Sequence, residues 1–268
     1  MIPDLRQALR SIAPLGWLLI LLSLLRALFF IANRSAFAAP PLDQGFMIAV
    51  QGLRFDAMTL VIANALWILL VLLPFPWRER GWWRIALRTL FITANTAVLF
   101  FCCIDLAYYG FNGKRLSRDI LGQTGVGLRE LPGMALRYWW VTVTFIVALW
   151  VVIKASGTRI VSRASWHRAP VFLIIAGLLV LVGRGGWQYQ GLSPAHASQH
   201  VDPRWAPLVT NSAFTFGYSL AEDPLPQHNW FTGEELDRLM PLRYELRPDS
   251  LTTRPNVVLL IVASLAKE

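Results

Sequence analysis

Five ionisable residues stand out because they interrupt or border long apolar runs: Arg26, Arg54, Asp56, Asp105 and Arg184. A charge in hydrocarbon costs at least ~2.5 kcal/mol, so such residues normally face a bundle interior and pair. With a helical rise of ~1.5 Å per residue, all five fall in one layer near the same end of their spans. Three arginines against two aspartates leave one positive charge, which makes the layer a candidate site for a lipid phosphate. The alternative is that Asp56 and Asp105 neutralise their neighbours and fix helix packing. The remaining residue types suggest less chemistry. His196 and His200 have i, i+4 spacing, but Pro194 precedes them and no acid lies at a recognisable offset, so they read as linker histidines rather than zinc ligands. Gly183-Arg184-Gly185-Gly186 lacks the strand-before, helix-after setting of a phosphate loop and reads as the end of a helix. No Ser-His-Asp or Cys-His arrangement can be assembled, so no residue is assigned as catalytic and none as a metal ligand.

The elements that must position these charges are membrane spans. Of 268 residues, 55 % are hydrophobic and 15 % charged, against about 25 % charged in a soluble domain. Apolar runs are expected to form five transmembrane helices at 12–32, 57–73, 85–108, 138–153 and 171–187. This composition excludes a disulfide scaffold, a disordered regulator and a simple soluble enzyme. Ala36-Phe37-Ala38 resembles a signal-peptide cleavage site, but the preceding apolar run is too long and four more follow, so the first helix is expected to be retained. Cys102 and Cys103 are adjacent within the third span and are expected simply to pack.

The net charge of +9 comes from Lys and Arg in short loops beside the spans, a pattern of topology signals and anionic-lipid contacts rather than nucleic-acid binding. With the N-terminus inside, the inner segments hold nine basic residues in about 39, and the outer loops six in about 52. The expected topology therefore has a cytoplasmic N-terminus and an extracytoplasmic C-terminus. Trp77, Trp82 and Trp83 flank one inner loop, and Trp139, Trp140, Trp166 and Trp187 lie near other span ends, where indole rings favour the headgroup layer. The 110–137 loop could place Arg118-Asp119-Ile120-Leu121 and Leu128-Arg129-Glu130-Leu131 along the interface, or serve as an exposed connector.

Residues 188–255 change character, with prolines, three of the four histidines and mixed charge, and read as an extracytoplasmic linker with short helices. Asn211 to Leu220 is apolar enough to dock on the membrane domain, and Thr232-Gly233-Glu234-Glu235 has capping-box spacing. Residues 256–262 form a continuous β-branched and leucine run after Pro255, as in the first strand of a parallel sheet buried on both faces. The remaining domain is expected to be missing, because the five spans leave too little chain for it.

Arg254-Pro255-Asn256-Val257-Val258-Leu259-Leu260-Ile261-Val262-Ala263-Ser264 resembles the opening strand of the external domain of the lipoteichoic acid synthase family, within the alkaline phosphatase and sulfatase superfamily. Other stretches resemble that family's membrane half. They are Gly52-Leu53-Arg54-Phe55-Asp56, Asp105 with Tyr108-Tyr109, Arg115-Leu116, Arg184-Gly185-Gly186, Asn211-Ser212-Ala213-Phe214 and Ser219-Leu220. The resemblance implies a membrane-anchoring portion of an enzyme that transfers phosphoglycerol from phosphatidylglycerol, using a divalent metal of Mn or Mg type and a threonine nucleophile outside the membrane. Phosphoethanolamine transferases and sulfatases are related alternatives. Where the family carries its metal-binding acid this chain has Ala263, whose methyl cannot ligate a hard cation, so no cofactor is expected in this chain. The expected partners are an anionic membrane phospholipid and the missing C-terminal catalytic domain; the expected location is the bacterial cytoplasmic membrane. An inactive scaffold or paralogue, and less so a small transporter subunit, are the other readings. The transporter is disfavoured because no inverted repeats, no helices interrupted at mid-depth and no ionisable residues near the bilayer centre are expected.

Overall fold

A computed structural model of the chain describes residues 2–72, 80–122, 136–157, 169–188, 190–221 and 231–239. Among them every regular element is a helix. The chain forms two compact units, Met1–Asp223 and Pro224–Glu268. The strand expected at 256–262, Ala263 and the Leu128-Arg129-Glu130-Leu131 turn lie outside the described residues.

The first unit begins with α1 (Ile2–Ala32), α2 (Leu42–Ala63), α3 (Ala65–Leu72) and α4 (Gly81–Asn112), followed by the single turn α5 (Asp119–Gly122). Next come α6 (Trp139–Ala155) and α7 (Ala169–Gly183), then two 3₁₀ segments (Pro194–Gln199, Pro203–Trp205), α8 (Ala206–Val209) and α9 (Ser212–Ala221). Among the described residues three helices are long and apolar enough to cross a membrane: α1 over Leu9–Ala32, α2 and α4. The expected fourth and fifth spans correspond to the shorter apolar helices α6 and α7, of 17 and 15 residues. At ~1.5 Å per residue these reach about 26 and 22 Å, less than a hydrocarbon core of ~30 Å. The fifth ends at Gly183 rather than 187, because Gly185 and Gly186 turn the backbone into positive φ (81° and 132°). A Cβ at 185 would lie 2.0 Å from Leu192 Cδ1, so that tight turn requires glycine.

The expected second span is corrected at its start. The helix begins at Leu42, not at 57, because the polar residues that read as loop are bonded within the protein: Gln44 accepts from the Asp202 N–H, and Arg54 and Asp56 find partners described below. The expectation of no interrupted helix is also corrected. Asn64 breaks the helical path between α2 and α3 (φ −102°, ψ 10°). The break is bridged: Asn64 N donates to Leu60 O at 3.0 Å and Ile68 N donates to Asn64 O at 2.8 Å. Its side chain pairs reciprocally with Asn95 of α4, at 3.0 and 2.8 Å, and each amide also donates to its own helix, at Leu60 O and Phe91 O.

Two apolar clusters fill the unit. One joins α1, α3, α4 and α6 through residues such as Leu22, Trp67, Phe91, Leu99 and Val152. The other joins the C-terminal end of α1, α2 and α4 to the 192–214 segment through Phe29, Phe55, Trp205, Val209 and Phe214. Segment 192–221 therefore packs as part of the first unit. Phe37, within the cleavage-like Ala36-Phe37-Ala38, stacks on Tyr109, and Ala38 O accepts from Trp205 Nε1 at 2.9 Å. Asp202 begins the 3₁₀ turn at Pro203, and the Arg204 guanidinium and backbone N–H hold its carboxyl below the ordinary carboxylate value. In the second unit, α10 (Gly233–Leu239) carries the expected capping box, with Thr232 N donating to Glu235 Oε2 at 2.9 Å.

Candidate functional site

The charged layer lies where α1 ends, α2 is under way and α4 approaches its C-terminus. Its organising element is α8, one helical turn with terminal carbonyls that cannot be satisfied within the turn. Two arginines cap it. Arg26 Nη1 donates to the carbonyls of Leu208 and Val209, while Nη2 donates to Asp56 Oδ1 at 2.6 Å and to Gly52 O at 2.9 Å. Arg115 donates through Nε to Pro207 O at 2.9 Å and through Nη2 to Thr210 O at 3.0 Å. Placing a cation at a helix C-terminus opposes the partial negative charge there. Gly52 is what admits the first arginine, since a Cβ at that position would fall 2.5 Å from Arg26 Cζ.

Each arginine also meets a buried carboxylate. Asp56 is 1 % exposed, and its Oδ1 accepts from both Arg26 and Asn211 Nδ2. Asp105 is wholly buried. Its Oδ2 accepts from Arg115 Nη1 at 2.7 Å and Ser212 Oγ at 2.5 Å, and its Oδ1 from Leu116 N at 3.1 Å. The Arg115 guanidinium also lies 3.5 Å from the centre of the Phe29 ring. Asn211 connects the two halves: its amide donates to Asp56 and to Thr59 Oγ1, while its Oδ1 accepts from Phe214 N at 2.8 Å as the N-cap of α9.

Two arginines and two aspartates thus form a neutral quartet, which changes the expected balance of three against two. Arg115 is the member missed as a candidate. Its place in the loop after α4, ten residues from Asp105, was visible in the sequence, but the return of that loop onto the helix was not. Arg54 belongs to a neighbouring contact. It donates to Gly185 O and Gln188 Oε1, and to Gln51 Oε1 at 3.3 Å, tying α2 to the turn after α7. Arg184 is exposed in that turn, three residues before Trp187, which is 90 % exposed.

Two spaces adjoin the quartet. A small cavity of about 20 Å³ touches Arg26, Asp56, Cys102, Arg115 and Thr210. Asp56 Oδ2 and Arg26 Nε are buried and have no hydrogen-bond partner among the described residues. About 10–15 Å³ of such volume accommodates one water molecule, which could donate to the first atom and accept from the second. A larger apolar groove of about 530 Å³ runs between α1 and α2, bounded by Phe30, Ile48, Ala49, Leu53 and Leu208, with Arg26 on its wall.

Among the described residues no group of three or more His, Cys, Asp or Glu side chains could hold a metal ion. His196 accepts at Nδ1 from Ser193 N at 3.0 Å and closes the turn at Pro194. The position at which the resemblance places a metal ligand carries a methyl group, Ala263, so the residue present does not fit a metal there. The stretches compared with the lipoteichoic acid synthase membrane half meet at this end of the first unit. Gly52 and Asp56 face Arg26, Asp105 holds Arg115, Gly185 receives Arg54, Asn211 and Ser212 bind the two aspartates, and Ser219 Oγ accepts from Arg118 N at 2.8 Å. Set against known proteins, the chain matches no family model, no curated protein and no solved structure.

Proposed function

We propose that the chain is the membrane-anchoring portion of a lipoteichoic acid synthase-like phosphoglycerol transferase or sulfatase-family protein. In this reading it presents a phospholipid at the outer leaflet of a bacterial cytoplasmic membrane, with its N-terminus inside, and performs no catalysis by itself. The observation that carries the proposal is the apolar groove of about 530 Å³ between α1 and α2, with a cationic wall residue and the docked 203–221 segment at one side. Apolar walls suit an acyl chain, and the quartet fixes the segment beside it. The donors of Arg26 and Arg54 are directed largely to protein acceptors, so they shape the site. In this reading Arg184, exposed in the turn before Trp187, would contact the phosphate at the headgroup layer. Ala263 favours a second reading, an inactive scaffold that holds lipid without turnover by any associated domain.

The test is phospholipid retained by the full chain after transfer into nanodiscs containing phosphatidylglycerol. Ala49→Trp, which fills the groove, should lower the retained phosphatidylglycerol at least threefold, and Arg184→Ala about twofold. Retention unchanged in both variants would overturn the proposal.

A further inference from the structure

The opposite end of the helices holds a second cavity, of about 190 Å³, with a different electrostatic design. Arg84 and Arg88 of α4 line it together with Ser156 and Gly157 beyond the end of α6, over an apolar floor of Trp67 and Val71. The arginines are spaced i, i+4, which places both on one face of α4, where like charges repel. At the quartet, every arginine has a carboxylate and caps helix carbonyls. Here, among the described residues, neither guanidinium has a carboxylate within ion-pair distance, and neither donates to a carbonyl at the end of α6. Arg88 Nε donates to Ser156 Oγ at 3.2 Å, and that hydroxyl donates onward to Ile153 O at 2.7 Å. These bonds fix one edge of the Arg88 fork, and among the described residues no carboxylate offsets the positive charge of the pair.

The depth of the cavity identifies the kind of anion. Seventeen to twenty-one residues of a single helix separate Arg88 and Arg84 from Asp105, which corresponds to about 26–32 Å, close to the thickness of a hydrocarbon core. Trp82 and Trp83 sit in the same first turns of α4, the layer that indoles favour. A guanidinium pair at headgroup depth, with a partly polar cavity in front and an apolar floor behind, suits a tetrahedral phosphate bearing an ester substituent. Guanidinium forks bind phosphate oxygens with two parallel N–H bonds.

We infer that Arg84, Arg88 and Ser156 form a phosphate-binding site at the bilayer face opposite the quartet, and that its ligand is the phosphate group of an anionic lipid. This inference is independent of the groove between α1 and α2, which lies at the other end of the unit.

The experiment uses the full chain in nanodiscs of phosphatidylcholine with or without phosphatidylglycerol, reading the melting temperature and the lipid retained by native mass spectrometry. Wild type should melt higher with phosphatidylglycerol. Arg84→Gln with Arg88→Gln should lose a clear share of that rise and retain about a third less phosphatidylglycerol, and joined to Ala49→Trp it should lower retention below either change alone. A parallel titration of inorganic phosphate in phosphatidylcholine discs separates the sources. Stabilisation by phosphate alone, lost in the double variant, would keep the phosphate site but replace the lipid by a free anion. Should the double variant fail to fold, Arg88→Lys, which keeps the charge and removes the fork, decides by the same readings. Equal retention and equal melting in wild type and variants would overturn the inference.

Discussion

At the residue scale, the informative groups are the paired carboxylates rather than the arginines alone. Asp105 spends both oxygens on three donors, Arg115, Ser212 and Leu116 N, and stands wholly buried. Removing one member of such a pair strands the other charge, which typically costs about 3–5 kcal/mol, whereas replacing both is far cheaper. Arg115→Ala should therefore lower the melting temperature of the detergent-solubilised chain sharply, and Arg115→Met with Asp105→Asn should recover much of the loss. If the single and double variants melted together, the coupling drawn from the geometry would be wrong. That Asp105 needs a cation follows from its type and its apolar surroundings. Which cation answers it depends on the path of the loop after α4, and no spacing rule encodes that path.

At the element scale, the second helix was the least legible. A window of apolar residues finds 57–73, but α2 starts at Leu42 because its polar residues are satisfied by parts of the chain distant in sequence, including Asp202, Gly185 and Asn211. Hydropathy scores these side chains as if they faced water, although their partners are inside the protein. The Asn64–Asn95 clamp shows the same effect. It joins α2–α3 to α4 through amides that all have acceptors, so it holds helices together rather than opening a polar path. Interhelical hydrogen bonds of this kind contribute about 0.6–2 kcal/mol each in a membrane setting. Asn95→Leu should lower thermal stability by an amount in that range or somewhat above it, because the Asn64 amide then loses its partner. Asn64→Leu with Asn95→Leu should be milder than the sum of the single variants. Additive losses in a double-mutant cycle measured by thermal melting would show that the amides do not act as a pair.

At the scale of the whole molecule, the first unit extends to Asp223 and includes the 192–221 segment, whose α8 turn is capped by arginines from α1 and the loop after α4. Docking this segment depends on Arg26 as a connector of α1, α2 and α8 at once. Arg26→Ala removes those bonds and leaves Asp56 charged and buried, so the segment should detach before the long helices unfold. Limited proteolysis in mild detergent should then cut within 192–221 at least tenfold faster than in wild type, with the fragment that carries α1–α7 otherwise intact. Uniform loss of the whole unit, or no change in cutting, would contradict this order of stability.

The amino-acid sequence by itself determined that the chain is a helical membrane protein and that its buried charges gather at one end. Length of apolar run and the cost of a charge in hydrocarbon are local properties that any fold must respect. It also marked 211–220 as a segment apolar enough to dock. Only the tertiary structure decided how the charges pair: that Arg115, not Arg184, completes the buried balance, and that Arg54 braces a glycine turn. It alone placed Arg84 and Arg88 around a cavity that no carboxylate lines among the described residues. Pairing depends on where loops return and which carbonyls a short helix leaves open, and those are long-range properties of the folded chain.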